Sequence, residues 1–275
     1  MPELPEVETV KEALKRKVLN KQIKDVKIYY SKIVEYPTKE EFIKKLIGET
    51  IVDIKRRGKW LIFELNDYYL LSHLRMEGKY NYKKADDELN KHEHIEFIFN
   101  DNMSLRYQDT RKFGRMYLYN KEEAFNKAPL NELGLEPWDK KLTTNYLKEK
   151  YKTKKKEIKS ILLDQSIITG IGNIYADEIL FLSKINPYKK ACDLKEKELN
   201  NIIENTKKVL ESAIKDGGTT IKSYTSEEGV HGRFQQKLFV HQRKDEKCHK
   251  CNSIIEKVVI GGRGTYFCPK CQKKW

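Results

Sequence analysis

Cysteine is scarce in this 275-residue chain until its end, where four of the five fall between Cys248 and Cys271. A secreted disulfide framework would be denser and even-numbered, so a reducing cytoplasm fits better. Long apolar runs are missing as well. No stretch approaches the ~20 residues that cross a bilayer. The N-terminus carries Glu3, Glu6 and Glu8 where a secretory signal would carry basic residues and an apolar core. Acidic residues are also outnumbered, 41 Asp and Glu against 55 Lys and Arg, which leaves a formal charge of +14. Such an excess favours a polyanionic partner, because each neutralised phosphate releases condensed counterions. A lysine-rich solubilising surface is the plainer reading, and composition alone leaves both open.

What is present suggests more than one domain. The apolar fraction is 39%, but the apolar residues are clustered and periodic, so a core is feasible. Residues 5–18 read as a helix: Pro5 suits its first position, Glu6 and Glu8 its positive first turn, and Val7, Val10, Leu14 and Val18 one stripe. Thr38-x-x-Glu41 is a capping box for a short helix that stops at Gly48. Strand patterns surround it at 26–30, 51–54, 60–65, 68–71, 94–99, 103–107 and 116–119, with Asn100-Asp101-Asn102 as a turn. Many short strands and few helices predict an antiparallel sandwich over roughly residues 20–120.

Gly134, Pro137 and nearby charges then form a linker, and residues 143–215 are helical in pattern. Leu199, Ile202, Ile203, Val209, Leu210, Ala213 and Ile214 mark one long helix, ended by Gly217-Gly218. The expectation is an α+β multidomain protein. Residues 1–130 form a β-sandwich domain with an N-terminal helix, 131–232 a helical domain with a loop at 217–232, and 233–275 a ribbon.

Cys248-x2-Cys251-x16-Cys268-x2-Cys271 is the strongest local signal. Each pair can chelate from a tight turn, and the gap suits a hairpin that closes a tetrahedral thiolate site. Four thiolates leave no open position, so one structural Zn2+ is expected, with no organic cofactor. His249 could substitute as a ligand but is not needed. Cys192 reads as a small core residue. Between the pairs, Gly261-Gly262-Arg263-Gly264 is either an ordinary tight turn or a cation presented where backbone can approach a phosphate. Gly170-x-Gly172 lacks the third glycine and the βαβ context of a dinucleotide site.

The first residues, Met1-Pro2-Glu3-Leu4-Pro5-Glu6, also have two readings. On the plainer one they only start a helix. If the initiator methionine is removed, Pro2 becomes a secondary amine that can condense with a sugar C1′, giving an iminium that acidifies the C2′ proton. An α-amino group, with a reference pKa near ~8, is partly unprotonated at neutral pH.

This stretch resembles the N-terminus of the formamidopyrimidine-DNA glycosylase family. The likeness continues in order through Arg57–Leu61, Ser72–Gly78, Lys91–His94, Asp109–Gly114, Gly170–Glu178, Gly217–Thr220 and the four-cysteine ribbon with Gly262–Thr265. It covers essentially the whole chain. The resemblance implies a helix-two-turn-helix DNA-binding domain and a bifunctional glycosylase and abasic-site lyase that excises oxidised purines such as 8-oxoguanine and formamidopyrimidines. Pro2 would be the Schiff-base nucleophile, Glu3 the proton donor to the sugar ring, and Glu6 a group that orients water or substrate. Lys59, otherwise an ordinary surface lysine, would assist β-elimination. Arg263 would contact the lesion phosphate and assist δ-elimination. A base in a duplex must be extruded and its place filled. Met76, Arg111 and Phe113 match the void-filling residues, although by residue type alone Met76 and Phe113 read as core. His73, His92, Arg111, Lys154 and Asn173 would contact DNA, the Lys154 match being shared with Lys155 and Lys156. His241-Gln242-Arg243 departs from the common Tyr-Gly-Arg and puts a tyrosine–phosphate contact there in doubt.

The resemblance further implies a monomer acting on double-stranded DNA with oxidised purines or abasic sites, in the bacterial cytoplasm at the nucleoid and with no membrane partner. Two alternatives are an endonuclease VIII-like glycosylase for oxidised pyrimidines and a catalytically silent nucleic-acid-binding protein on this scaffold. Leu4 and the Met76/Arg111/Phe113 combination favour the purine branch, and intact Pro2, Glu3 and Lys59 argue against silence.

Overall fold

The computed structural model describes residues 1–219 and 233–274, so residues 220–232 of the expected loop lie outside it. The chain divides into two compact units, one comprising Met1–Asn131 with Gly217–Gly232 and the other Glu132–Asp216 with Arg233–Trp275.

The first unit begins with helix α1, Leu4–Val18. Val7, Val10, Leu14 and Val18 are all fully buried along one face, each contributing about 1.5–3 kcal/mol. Lys15, Arg16 and Lys17 lie in the last turn, where the helix dipole favours cations. Helix α2, Lys39–Leu46, is capped by Thr38, whose hydroxyl accepts from the Glu41 amide.

Among the described residues nine strands follow the expected pattern with four differences, the first being that β1 begins three residues ahead of the expected 26–30: β1 (Ile23–Ile28), β2 (Val34–Tyr36), β3 (Asp53–Arg57), β4 (Trp60–Glu64), β5 (Tyr68–His73), β6 (Lys79–Lys84), β7 (Glu93–Phe99), β8 (Met103–Gln108) and β9 (Arg115–Asn120). They form a four-stranded sheet, β1-β7-β8-β6, and a five-stranded sheet, β2-β9-β5-β4-β3. Residues of both sheets and of α1 share one apolar core that includes Val10, Leu61, Phe97 and Leu118. Strand β6 departs from the expectation because only Tyr80 and Tyr82 interrupt its polar sequence. It is an edge strand, and lysines suit an edge that must not pair with another chain. Strand β3, also at an edge, lies two residues later than its apolar pattern suggests, with Ile51 in the core ahead of it. The short β2 pairs with β9 in parallel, so the sandwich is not wholly antiparallel.

The second unit holds helices α3 (Thr144–Tyr151), α4 (Ile158–Leu162), α5 (Asn173–Leu182) and α6 (Glu196–Lys215). The stripe of α6 is buried from Leu199 to Ala213, and Ile214 is half-buried. A hairpin of β10 (Glu256–Ile260) and β11 (Arg263–Phe267) turns at Gly261 and Gly262, both with positive φ. The ribbon's small core comprises Phe181, Val240, Cys248, Ile255 and Cys268. Cys192 is half-buried rather than core, its Sγ 3.5 Å from Asp193 Oδ1. Among the described residues no helix is long and apolar enough to cross a membrane.

Candidate active site and nucleic-acid interface

In the first unit, the opening residues form a buried polar cluster. Pro2 is buried, and Glu3 and Glu6 are each 3% exposed. The Glu3 amide donates to Glu6 Oε2 at 2.9 Å, which closes the first turn of α1. Glu6 Oε1 accepts from the Thr219 amide at 2.9 Å and from its hydroxyl at 3.2 Å. The carboxylate therefore fastens the start of the Gly217–Thr220 motif to the residues beside Pro2. Gly218 sits close enough that a Cβ there would lie 2.6 Å from Glu6 Oε1.

Lys59 follows Gly58, whose φ of +56° turns the β3–β4 hairpin. It is 5% exposed, not the ordinary surface lysine that its sequence suggests. Its charge reaches His73, the last residue of β5. Burial, followed by the charges of Arg75 and Lys59, lowers the His73 pKa to about 3. The ring is thus neutral. Its Nδ1 accepts from the Arg75 amide at 2.9 Å, which leaves the proton on Nε2. His73 also packs edge-on against Trp60, with centroids 4.7 Å apart.

Met76 and Phe113 are 41% and 46% exposed, so neither belongs to the core. The Arg111 guanidinium lies 4.8 Å above the Phe113 ring. A flexible apolar group, a planar donor fork and an aromatic face are thus displayed to solvent, on the turns after β5 and β8. His92 is half-buried, its carbonyl accepting from the Asp109 amide at 3.0 Å.

In the second unit, Asn173 is the first residue of α5, and its Nδ2 donates to the Gly264 carbonyl at 2.8 Å. This bond ties a helix N-terminus, where backbone N–H groups favour anions, to the hairpin that carries exposed Arg263. Lys154 is half-buried with its Nζ 3.9 Å from Asp164, whereas Lys155 and Lys156 are exposed.

Sequence reasoning missed the buried network below this region. Lys159 Nζ donates to Asp177 Oδ1 at 2.6 Å and to the Asn173 carbonyl at 2.8 Å. Asp177 Oδ2 lies 2.7 Å from His241 Nδ1 and accepts from the Tyr266 amide at 3.2 Å. Lys159 and Asp177 side chains are fully buried. Next to them, Glu178 accepts from the amides of Phe239, Val240 and His241. Burial pushes its carboxyl above the usual range, against the pull of those amides. The signal was present: Asp177-Glu178 interrupts an otherwise apolar helix, and buried charge requires partners. His241, where Tyr is common in the resembling family, is 6% exposed.

The four cysteine sulfurs lie within 4.8 Å of one another, with Cys251–Cys268 at 3.4 Å and Cys248–Cys271 at 3.9 Å. A tetrahedron with Zn–S bonds of about 2.3 Å has edges of about 3.8 Å. The donors therefore fit one structural zinc, held by Cys248, Cys251, Cys268 and Cys271. The exposed His249 is not part of the cluster.

A buried Pro-Glu cluster on a two-sheet unit, and a helical unit with a four-cysteine ribbon, define the class of helix-two-turn-helix, zinc-ribbon proteins. Family models place the chain within that class: the formamidopyrimidine-DNA glycosylase N-terminal domain matches residues 1–116, the H2TH domain of the same enzymes 133–225, and the zinc finger found in FPG and IleRS 245–274. The chain belongs to the formamidopyrimidine-DNA glycosylase family. It is 46% identical to the formamidopyrimidine-DNA glycosylase of Bacillus anthracis and 48% identical to that of Shouchella clausii, over 100% of each chain. Among solved structures it is similar to a point mutant of Lactococcus lactis FPG in complex with a Fapy-dG containing DNA. The TM-score is 0.92 at 38% identity, covering 99% of this chain and 100% of that one. A complex between L. lactis Fpg and an abasic site containing DNA gives 0.91 at the same identity and coverage.

Proposed function

We infer that this chain is a bifunctional DNA glycosylase and abasic-site lyase of base excision repair, acting on oxidised purines in duplex DNA. The single observation that carries this reading is the buried cluster of Pro2, Glu3 and Glu6, locked at one end by Thr219, in a chain whose full length matches formamidopyrimidine-DNA glycosylases. Relatives bound to Fapy-dG and abasic-site DNA support the substrate class.

Once Met1 is removed, the Pro2 amine attacks C1′ of the damaged nucleotide. The glycosidic bond breaks, and its electron pair leaves with the base, which takes up a proton. The amine then gives up its proton, the C1′–O4′ bond opens with its electron pair going to O4′, and the resulting iminium makes the C2′ proton acidic; loss of that proton breaks the C3′–O bond and expels the 3′ phosphate. A second elimination releases the 5′ phosphate. Glu3 protonates the opening sugar ring. Glu6 holds the Glu3 amide and the Thr219 end of the loop, so its part is to orient the groups around the amine. Lys59 and Arg263 stabilise the departing phosphates. Arg263, Asn173, His73, His92 and Lys154 bind the duplex backbone, with zinc supplying only the rigidity of the ribbon. Met76, Arg111 and Phe113 fill the space of the extruded nucleotide. We place the enzyme in the bacterial cytoplasm, acting on nucleoid DNA as a monomer.

Borohydride trapping to DNA containing 8-oxoguanine opposite cytosine tests the reading. Wild type should give a covalent adduct and Pro2→Gly almost none. An undiminished adduct in Pro2→Gly, a retained Met1 in active enzyme, or faster excision of thymine glycol than of 8-oxoguanine would overturn it.

A further inference from the structure

Asp109 is fully buried at the end of β8 and is not assigned any step of the reaction. Its carboxylate gathers three backbone amides of the turn that follows. Oδ1 accepts from Arg111 at 3.0 Å, and Oδ2 accepts from Phe113 and Gly114, both at 2.8 Å. Its carbonyl accepts from the Lys112 amide at 3.3 Å and lies 2.8 Å from His94 Nε2. Lys112 has a φ of +59°, a conformation that a non-glycine residue keeps only when its surroundings impose it. One carboxylate thus supplies the inward-facing partners of a turn whose outward face displays Arg111 and Phe113.

The other exposed wedge, Met76, sits on a turn closed by the Gly78 amide donating to the Leu74 carbonyl at 2.9 Å. The two turns meet at one atom. A Cβ on Gly78 would stand 2.3 Å from Tyr107 Oη, and one on Gly114 would stand 1.8 Å from it. Both backbones therefore rest directly on the same phenol. Tyr107 is itself fully buried against Tyr80, whose hydroxyl donates to Ser72 Oγ at 2.7 Å.

We propose that Asp109 is a positioning residue for base extrusion: with Tyr107 as spacer, it holds the Phe113 and Met76 turns preformed at a fixed separation before DNA arrives. The inference rests on the void-filling role given to Met76, Arg111 and Phe113. A turn already in its working shape does not have to be ordered while the base leaves the stack, and misplacement by about 1 Å costs up to roughly a hundredfold in rate.

Asp109→Asn tests this, because an amide nitrogen cannot accept from the inward-facing N–H groups. The readout is the ratio of single-turnover 8-oxoguanine excision from duplex to incision of a single-stranded abasic oligonucleotide, which needs no void filling. That ratio should fall about tenfold or more. Gly114→Ala leaves Asp109 intact and displaces the turn from the Tyr107 side, and it should give the same selective loss. Adding Asp109→Asn to Phe113→Ala should then change the ratio less than about threefold, because contacts that act through one another are not additive. A ratio within twofold of wild type in Asp109→Asn would overturn the proposal. Equal losses on both substrates would overturn it too, showing that Asp109 merely holds the fold. Failure of the void-filling reading shows separately, as full duplex activity in Met76→Ala and Phe113→Ala.

Discussion

Replacing Lys159 with methionine should weaken the helical unit more than any surface substitution could. The side chains of Lys159 and Asp177 are both inaccessible to water and 2.6 Å apart. Methionine fills similar volume but leaves the Asp177 carboxylate charged in the interior. Removing one partner of a buried pair costs about 3–5 kcal/mol. His241 and the Tyr266 amide remain on the other carboxylate oxygen, which places the loss toward the lower end, and the Asn173 carbonyl also loses its donor. At roughly 2–4 °C per kcal/mol, a loss of about 3 kcal/mol should make the unit melt about 6–12 °C earlier. Thermal unfolding followed by far-UV circular dichroism measures this, and guanidinium unfolding gives the free energy. Lys159→Met/Asp177→Asn should recover part of the loss, because the amide can still accept a hydrogen bond without carrying charge. Duplex affinity should fall in parallel, since Asn173 and the hairpin hang on the same network. A single variant within about 1 kcal/mol of wild type, or a double variant as unstable as the sum of its parts, would refute the reasoning.

Three further outcomes follow from the geometry. The folded His73 resists protonation to about 3, while the unfolded chain takes up a proton near 6.5. Between those values the unfolded state binds more protons, so this contribution to stability is lost as pH falls. His73→Asn, which keeps an acceptor for the Arg75 amide, should remove that part of the acid sensitivity in parallel melting curves; an unchanged slope would count against a neutral buried ring. Glu6→Gln puts a donor where the Glu3 and Thr219 amides need an acceptor, a loss of about 1.5–3 kcal/mol. Single-turnover excision should slow by about 10–100-fold, and a rate within threefold of wild type would remove Glu6 from the proposed machinery. Stripping zinc with a chelator should open the ribbon and flatten the dependence of duplex affinity on salt, because the phosphate contact proposed for Arg263 would be lost. A salt slope identical with and without zinc would contradict this.

Some of the molecule was already written in its linear pattern. Spacing alone marked the metal site, because two Cys-x2-Cys pairs carry their chelating geometry in a few consecutive residues. The α1 stripe and the Thr38 cap were equally legible, since a helix is specified by neighbours three and four apart. The residues proposed to face DNA became legible through ordered motifs rather than through residue type: Met76 and Phe113 look like core and are exposed, while Lys59 looks like surface and is buried.

Tertiary structure alone decided which distant groups would share a proton, a charge or a van der Waals boundary. Thr219 reaches Glu6 across 213 positions, and Asp177 meets His241 across 64. Gly78 and Gly114 owe their lack of a side chain to Tyr107, a residue on a strand between them in sequence. Local periodicity carries no record of such pairs, because hydrogen bonds and steric limits act through distances that only packing sets.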